Sequence, residues 1–218
     1  MKHMKNASYI PVILIVISML FFSCSRSSSS HYFKNGNAKY SLKDYKGAIK
    51  DYQEAIKLDP EYTDAWYGKA ICESILERYD KALADYNKAA ELDPSNKDVI
   101  FNRAYYVKQK TGDYKGAIED YNFYIEKFKK SDDAFVYSNM GYCKYKLNDF
   151  EAALSDINKS LELNPDNPMA YKNRALIYFV TDNKDNACND LHKSLELGFT
   201  KKFGNDVEEL ISEKCDSK

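Results

Sequence analysis

The sequence predicts an all-α chain: an α–α superhelix of about five stacked helical hairpins, closed at its C-terminal end by a capping helix. Two observations carry this prediction. The segment Asp44 to Pro60 returns as Arg78 to Pro94 with the two prolines 34 residues apart, and again as Asp113 to Lys129, Asp149 to Pro165 and, weakened, Asn183 to Gly198. A period of that length marks a unit that cannot bury its apolar face alone and stacks on copies of itself. The composition agrees, because 8 Gly and 5 Pro against 19 Tyr give few turn residues and many amphipathic rings, which suits packed helices with polar edges.

The elements follow in chain order. Residues 1–23 form a leader, with Lys2 and Lys5 as a basic start and Ile10 to Phe22 as an apolar or small run of 13 residues. A bilayer span needs roughly 20 apolar residues, so this run fits a signal peptide better than a membrane helix. Ser23 directly before Cys24 resembles the lipobox of bacterial lipoproteins, in which the cysteine sulfur is acylated and becomes the mature N-terminus. Phe21 and Phe22 depart from the usual residues of that motif; an ordinary signal peptide or an uncleaved anchor is the alternative. Residues 24–30 then make a serine-rich flexible tether. Ser25 replaces the aspartate that retains some lipoproteins in the inner membrane, which implies an outer-membrane lipoprotein of the bacterial envelope. No acidic run of the surface-export kind follows Cys24, so the periplasmic side is the expectation.

Five hairpins occupy residues 31–198, with boundaries near 31–62, 63–96, 97–131, 132–167 and 168–198. A small residue recurs in each first helix, at Gly36, Ala70, Ala104, Gly141 and Ala175, and in each second helix, at Ala48, Ala82, Ala117, Ala153 and Ala187. Helices approach closely only where neither carries a bulky side chain, so these columns mark the contact of each pair. Four residues after the second column stand Tyr52, Tyr86, Tyr121, Ile157 and Leu191, on the same helical face, as fillers of the gap between hairpins. Pro60, Pro94 and Pro165 stop the second helices, since the residue before proline avoids helical geometry. The two small columns stand 12 residues apart except in the third hairpin, where 13 separate Ala104 from Ala117. The extra residue is assigned to the turn at Thr111 and Gly112, and the missing third proline predicts a longer second helix there. Residues 199–218 complete the chain, with Asn205 to Lys214 as a capping helix that turns Val207, Leu210 and Ile211 inward.

The pattern of bulky, small and alanine columns closed by proline is similar to the tetratricopeptide repeat, over residues 31 to about 198. That resemblance implies a protein-binding surface lined by the first helices. It places there Phe33, Asn37 and Tyr40 from the first hairpin, Tyr67 and Ile71 with Ser74 from the second, and Phe101, Tyr105 and Lys108 from the third. The fourth contributes Tyr142 and Tyr145 with Ser138, and the fifth Lys172 and Phe179 with Leu176. Rigid rings with hydroxyl tips bury area at small entropic cost and suit an extended or helical peptide. Chaperone-binding members of the family grip a C-terminal carboxylate with a lysine, asparagine and arginine clamp. Here Asn37 matches, but Phe33, Gly68, Asp98 and Asn102 occupy the other positions, so that clamp is absent.

Charge and chemistry narrow the function further. The chain has 32 Lys plus Arg against 33 Asp plus Glu, which leaves no electrostatic footprint for nucleic acid. Beyond the leader only His31 and His192 remain, with no second ligand at a workable metal spacing. No phosphate loop, nucleophile elbow or paired-carboxylate arrangement occurs, so no enzymatic activity, cofactor or metal is expected. The acidic column Asp51, Asp85, Asp120, Asp156 and Asp190 repeats once per hairpin, as architecture does, and is assigned to helix ends or to Arg103 and Arg174. Cys72 and Cys143 fit buried thiols. Cys188 and Cys215 are expected to form a disulfide, because the capping helix folds back over the last second helix in an oxidising compartment; two free thiols are the alternative. The sequence therefore predicts a lipid-anchored envelope scaffold that binds a protein or peptide partner. Self-association into a homo-oligomeric envelope component is the rival reading.

Overall fold

The computed structural model describes residues 28–128 and 133–216. The leader over residues 1–23, the lipidation at Cys24 and most of the tether lie outside the described residues. Twelve helices and no strand occur among the described residues. They are α1 (28–41), α2 (Tyr45–Leu58), α3 (Thr63–Ile75), α4 (Tyr79–Leu92), α5 (97–111), α6 (Tyr114–Lys127), α7 (Ala134–Lys146), α8 (Phe150–Leu163), α9 (Pro168–Val180), α10 (Lys184–Glu196), α11 (Phe199–Phe203) and α12 (Asp206–Lys214). The chain divides into two compact units, residues 1–94 and 95–218. The first holds two hairpins, α1–α2 and α3–α4; the second holds α5–α6, α7–α8 and α9–α10, followed by α11 and α12.

Local chemistry sets the helix ends. Asp44, Asp113 and Asp149 precede α2, α6 and α8, and each side chain accepts the backbone N–H three residues on, at Gly47, Gly116 and Ala152. An N-cap of this kind is worth about 1 kcal/mol. Asn96, Asp133 and Asn167 cap the starts of α5, α7 and α9 in the same way, with Pro168 at the first turn of α9. At the far ends Asp59, Asp93 and Asn164 leave helical geometry just before Pro60, Pro94 and Pro165. The turns inside the hairpins share one strained residue: Lys43, Glu77, Asn148 and Asp182 all have φ near +60°, and Gly112 takes that place in the third hairpin.

The small columns close each hairpin. Ala48, Ala70, Ala82, Ala104, Ala117, Ala153, Ala175 and Ala187 expose no surface. A methyl group added at Gly141 would stand 2.6 Å from Cγ1 of Ile157 and 2.9 Å from the carbonyl oxygen of Ala153, so α7 and α8 meet backbone to backbone. Tyr52, Tyr86, Tyr121, Ile157 and Leu191 are buried as fillers, and each contributes about 2–3 kcal/mol through apolar burial. In residues 1–94 the Tyr52 ring lies between Gly36 of α1 and Gly68 of α3, at either of which a Cβ would come within 2.8 Å of it. In residues 95–218 buried serines tie second helices to first ones: Ser160 donates to the Ala134 carbonyl at 2.6 Å and Ser194 to that of Pro168 at 2.8 Å.

The third hairpin corrects two expectations. The extra residue is not in the turn. Helix α5 is α-helical over Lys97–Asn102, π-helical over Arg103–Lys108 and α-helical again over Gln109–Thr111. The column two residues after the small residue, buried Cys72, Cys143 and Ile177 in the second, fourth and fifth hairpins, falls one residue late, on buried Val107. Beyond Val107 the register is restored, and Gly112 occupies the same turn position as Glu77. The insertion thus lies at Tyr105 and Tyr106, where the chain absorbs it by widening one helical turn. The second correction concerns α6, which ends at Lys127 and spans 14 residues, as many as α2, α4 and α8. Proline is not what sets that length; the Phe128 N–H closes the last turn on the Tyr124 carbonyl.

The C-terminal segment is two helices rather than one. Gly198 turns the chain with φ of 80°, α11 buries Phe199, and α12 buries Val207 and Ile211 with Leu210 packed alongside. This cluster joins Ala175, Ala187 and Leu191 of the fifth hairpin and covers the apolar end of the array, as repeat proteins require for solubility.

Candidate functional site

The acidic column is structural. Asp51, Asp85, Asp120, Asp156 and Asp190, three residues after each second-helix alanine, pair with a cation on the first helix of the same hairpin: Lys39, Lys69, Arg103, Lys144 and Arg174. Those cations stand one before or three after the small residue, four positions apart and therefore on one helical face. Arg103 and Arg174 grip their carboxylates in two-pronged fashion, at 2.6 to 2.8 Å. Burial pushes the carboxyl groups of Asp85 and Asp156 above their ordinary range, against the pull of Lys69 and Lys144. Arg174 is held more firmly protonated, chiefly by its hydrogen bonds to Asp190.

Residues 1–94 form one ring-lined pocket of about 310 Å³. The sequence-predicted Phe33, Asn37, Tyr40, Tyr67 and Ile71 all line it, with Tyr52, Asp64 and Gly68. Tyr52, which also lines it, donates its hydroxyl hydrogen to the Asn37 side-chain oxygen at 2.7 Å, so the amide N–H groups are not used in that bond. The sequence reading missed Tyr52 as a pocket residue because its column marks it as filler; its polar tip serves the pocket while its ring serves the core.

Residues 95–218 hold a separate cleft. One part, about 520 Å³, is lined by Phe101, Tyr105, Tyr106, Tyr124, Phe135, Asn139, Met169, Lys202 and Phe203, with Lys97, Asp98 and Asp133 at its edge. An adjoining part of about 160 Å³ shares Tyr105, Asn139 and Met169 and adds Gln109, Lys110, Tyr142, Lys172 and Asn173. Of the predicted residues the cleft brings together Phe101, Tyr105, Tyr142 and Lys172. The π-helical turn sets the rings: Phe101 stacks on Tyr105 at 6.0 Å, and Tyr106 meets Tyr105 edge-on at 4.9 Å. Burial raises the hydroxyl pKa of Tyr105 and Tyr142, so both remain hydrogen-bond donors across the physiological range.

Other predicted residues go elsewhere. Lys108 turns into its own hairpin, bonding the Gly116 carbonyl and Asp120. Tyr145 packs against Tyr142 and Phe150 beside the core of the fourth and fifth hairpins. Phe179 lies under the Lys214 ammonium in the cluster that α12 completes. Lys172 keeps its place in the cleft but pairs with Asp206 of α12 and sits 5.2 Å over the Phe199 ring. The C-terminal helices thus cover much of the fifth hairpin. Phe135, Met169, Lys202 and Phe203 were not foreseen. The first two stand six residues before the small residue, a column outside the one read for binding, and the other two belong to α11, which carries no repeat pattern.

Cys188 and Cys215 are joined by a disulfide with Cα atoms 5.8 Å apart, which fastens the end of α12 to α10. Cys72 and Cys143 are buried free thiols, pushed up to about 12 by burial. The shifts of tyrosine and cysteine all hold protons more tightly, the opposite of what an activated nucleophile or base needs. Among the described residues no three His, Cys, Asp or Glu side chains converge as metal ligands, and no helix is long and apolar enough to cross a membrane. What the two sites offer is apolar area with hydroxyl and amide tips.

The tetratricopeptide repeat model matches residues 33–97 and again residues 134–167. No curated protein matches the chain by sequence. Among solved structures, the chain is similar to MamA residues 41 to the end from Desulfovibrio magneticus RS-1, with a TM-score of 0.71 at 16% identity over 80% of this chain and 97% of that one. YrrB, described as a TPR protein with an unusual peptide-binding site, gives a TM-score of 0.63 at 21% identity over 82% and 91%. The Pseudomonas aeruginosa pilF protein gives 0.66 at 19% over 88% and 95%. The 34-residue period, the buried small columns and the two matched segments together make this chain a tetratricopeptide-repeat protein.

Proposed function

We propose that the chain is a non-catalytic scaffold that docks a protein or peptide partner through its ring-lined sites, tethered to the bacterial envelope by a lipid on Cys24. The observation that supports docking most is the pocket of residues 1–94, where five first-helix residues chosen from the repeat pattern converge around a hydroxyl–amide pair. Such a surface suits peptide recognition: rings bury area, and the Asn37 amide offers donors to a backbone carbonyl. YrrB, of the same fold, is described as having a peptide-binding site, and that description supports the reading by analogy of fold alone. Tethering rests on the leader, the residues around Cys24 and the serine-rich stretch that follows.

Crosslinking in intact cells tests the docking. Partners captured by the wild-type chain are expected to be lost from a variant carrying Tyr67→Ala, Tyr105→Ala and Tyr142→Ala, provided its helicity by circular dichroism is retained. An unchanged set of partners would remove these sites as the docking surface. Tethering is tested separately, since Cys24→Ala is expected to release the chain from the membrane fraction.

A further inference from the structure

We infer that the cleft of residues 95–218, built on the π-helical turn, binds an acidic peptide segment bearing a bulky apolar side chain; this rests on the scaffold reading above and names the partner's chemistry. Three observations converge. The first is the inserted residue itself. A single insertion in a helix is retained at a cost to regular hydrogen bonding, and such π-bulges gather at functional sites. Here it adds one tyrosine to the repeat and sets Tyr105 and Tyr106 side by side on the same cleft.

The second is exposure. Tyr106, Phe135 and Phe203 each leave about two fifths of their surface open to solvent, 41% in every case, and all three line this one cleft. They come from α5, α7 and α11. Apolar rings from three helices that converge on one depression and stay open are what a partner's side chain fills.

The third is charge, and it selects the occupant. Residues 95–218 carry 19 Lys and Arg against 21 Asp and Glu, so an arbitrary surface there is slightly acidic. The cleft reverses that balance. Lys97, Lys110 and Lys202 border it and form no ion pair among the described residues. Of the carboxylates beside them, Asp133 takes hydrogen bonds from the α7 cap and the Tyr124 hydroxyl, neutral donors that leave its charge in place, whereas Asp206 is neutralised by Lys172. Among the described residues that line the cleft, Asp98 and Asp133 stand against the three lysines, an excess of one positive charge. Lys97 is the first residue of α5, where a cation works against the helix dipole, so its charge does not serve the helix. The complementary partner presents carboxylates to the lysines and an aromatic or aliphatic side chain to the rings.

The test is a pair of fluorescein-labelled octapeptides with blocked ends, one alternating Glu with Phe and Leu, the other with Lys for every Glu, titrated by anisotropy into the full chain. The acidic peptide is expected to bind about tenfold tighter or better, with the preference shrinking as salt is raised from about 0.05 to about 0.5 M. Lys97→Glu with Lys202→Glu should abolish the preference, and Tyr106→Ala should weaken both peptides; all three positions are exposed, so the fold is kept, as circular dichroism would verify. Equal affinity for the two peptides, or a preference that survives the lysine exchanges, overturns the inference. If the peptides bind equally and Tyr67→Ala weakens both, the scaffold reading stands and this one falls. If neither binds and the crosslinked partners are indifferent to the tyrosine variants, both fall.

Discussion

The side chains that strain this molecule are few, and each makes a measurable prediction. Glu77 holds φ at 57° in the turn between α3 and α4, where Gly112 holds 83° in the equivalent turn of the third hairpin. A left-handed residue with a Cβ costs about 1–2 kcal/mol, partly offset by the freedom glycine gains when unfolded. Glu77→Gly is therefore expected to raise stability by about 0.5–1 kcal/mol, and Gly112→Ala to lower it by about 1 kcal/mol although nothing lies within 4 Å of the added methyl. Urea titrations showing both changes with the same sign would contradict this. A second prediction concerns Asp85 and Asp156, whose pKa values rise above the ordinary 3.8 because burial outweighs their lysine partners. An acid with a raised folded-state pKa binds its proton more tightly when folded. Its contribution to stability is then full below the unfolded value and lost as pH rises through the folded one. As pH is lowered from 7 toward 4, the wild type should gain stability relative to an Asp85→Asn and Asp156→Asn variant, the reverse of ordinary acid denaturation. A gap that moves the other way would mean the lysine pairs dominate.

At the scale of the element, the π-helical turn in α5 carries the sharpest prediction. Deleting Tyr106 should return the third hairpin to the 12-residue spacing of the other four, bring Val107 into the register of Cys72 and Cys143, and turn the π segment into plain α-helix. Melting should stay level or rise, because regular hydrogen bonds replace a widened turn, while affinity for the acidic peptide is lost. A deletion that unfolds the hairpin would show the turn to be a structural necessity. The same turn shows what was legible in the sequence. Columns of small and bulky residues recur because every hairpin solves the same packing problem, so the helices and the buried fillers could be read from spacing alone. A spacing of 13 announces an insertion without locating it. Only the displaced Val107 does that, and seeing it requires following the buried column two residues past the small one. The pocket of residues 1–94 was legible because its five first-helix residues obey the period. The cleft of residues 95–218 was legible only in part. Its missing wall comes from α11, outside the repeat, and Lys172 and Phe179 answer to contacts with α11 and α12 that no periodicity encodes. Lys108 was misassigned because the widened turn moved it onto the face where Asp120 lies.

For the whole molecule the deciding feature is where its covalent clasp falls. The Cys188–Cys215 bridge closes a loop with a separation of 27 residues, and in the chain-entropy model that constraint is worth about 3–4 kcal/mol. Repeat arrays couple mainly through nearest neighbours, so a local loss weakens with each interface it must cross. The bridge lies in residues 95–218, whereas the single tryptophan, Trp66, lies in α3 of the other unit and donates its indole N–H to the Pro60 carbonyl at 2.9 Å. Its fluorescence follows the first unit while far-ultraviolet circular dichroism follows all helices. Reduction with a dithiol, or Cys215→Ser, should therefore move the dichroism transition to lower denaturant by the full amount and move the Trp66 transition by clearly less, so that the two probes separate. Buried Cys72 and Cys143 stay protonated and out of contact with solvent at neutral pH, so native alkylation after reduction should newly label Cys188 and Cys215 and spare Cys72 and Cys143, which ties the shift to that bridge. If the two transitions move together by the same amount, the array unfolds as one cooperative body and the neighbour-by-neighbour account of its stability fails.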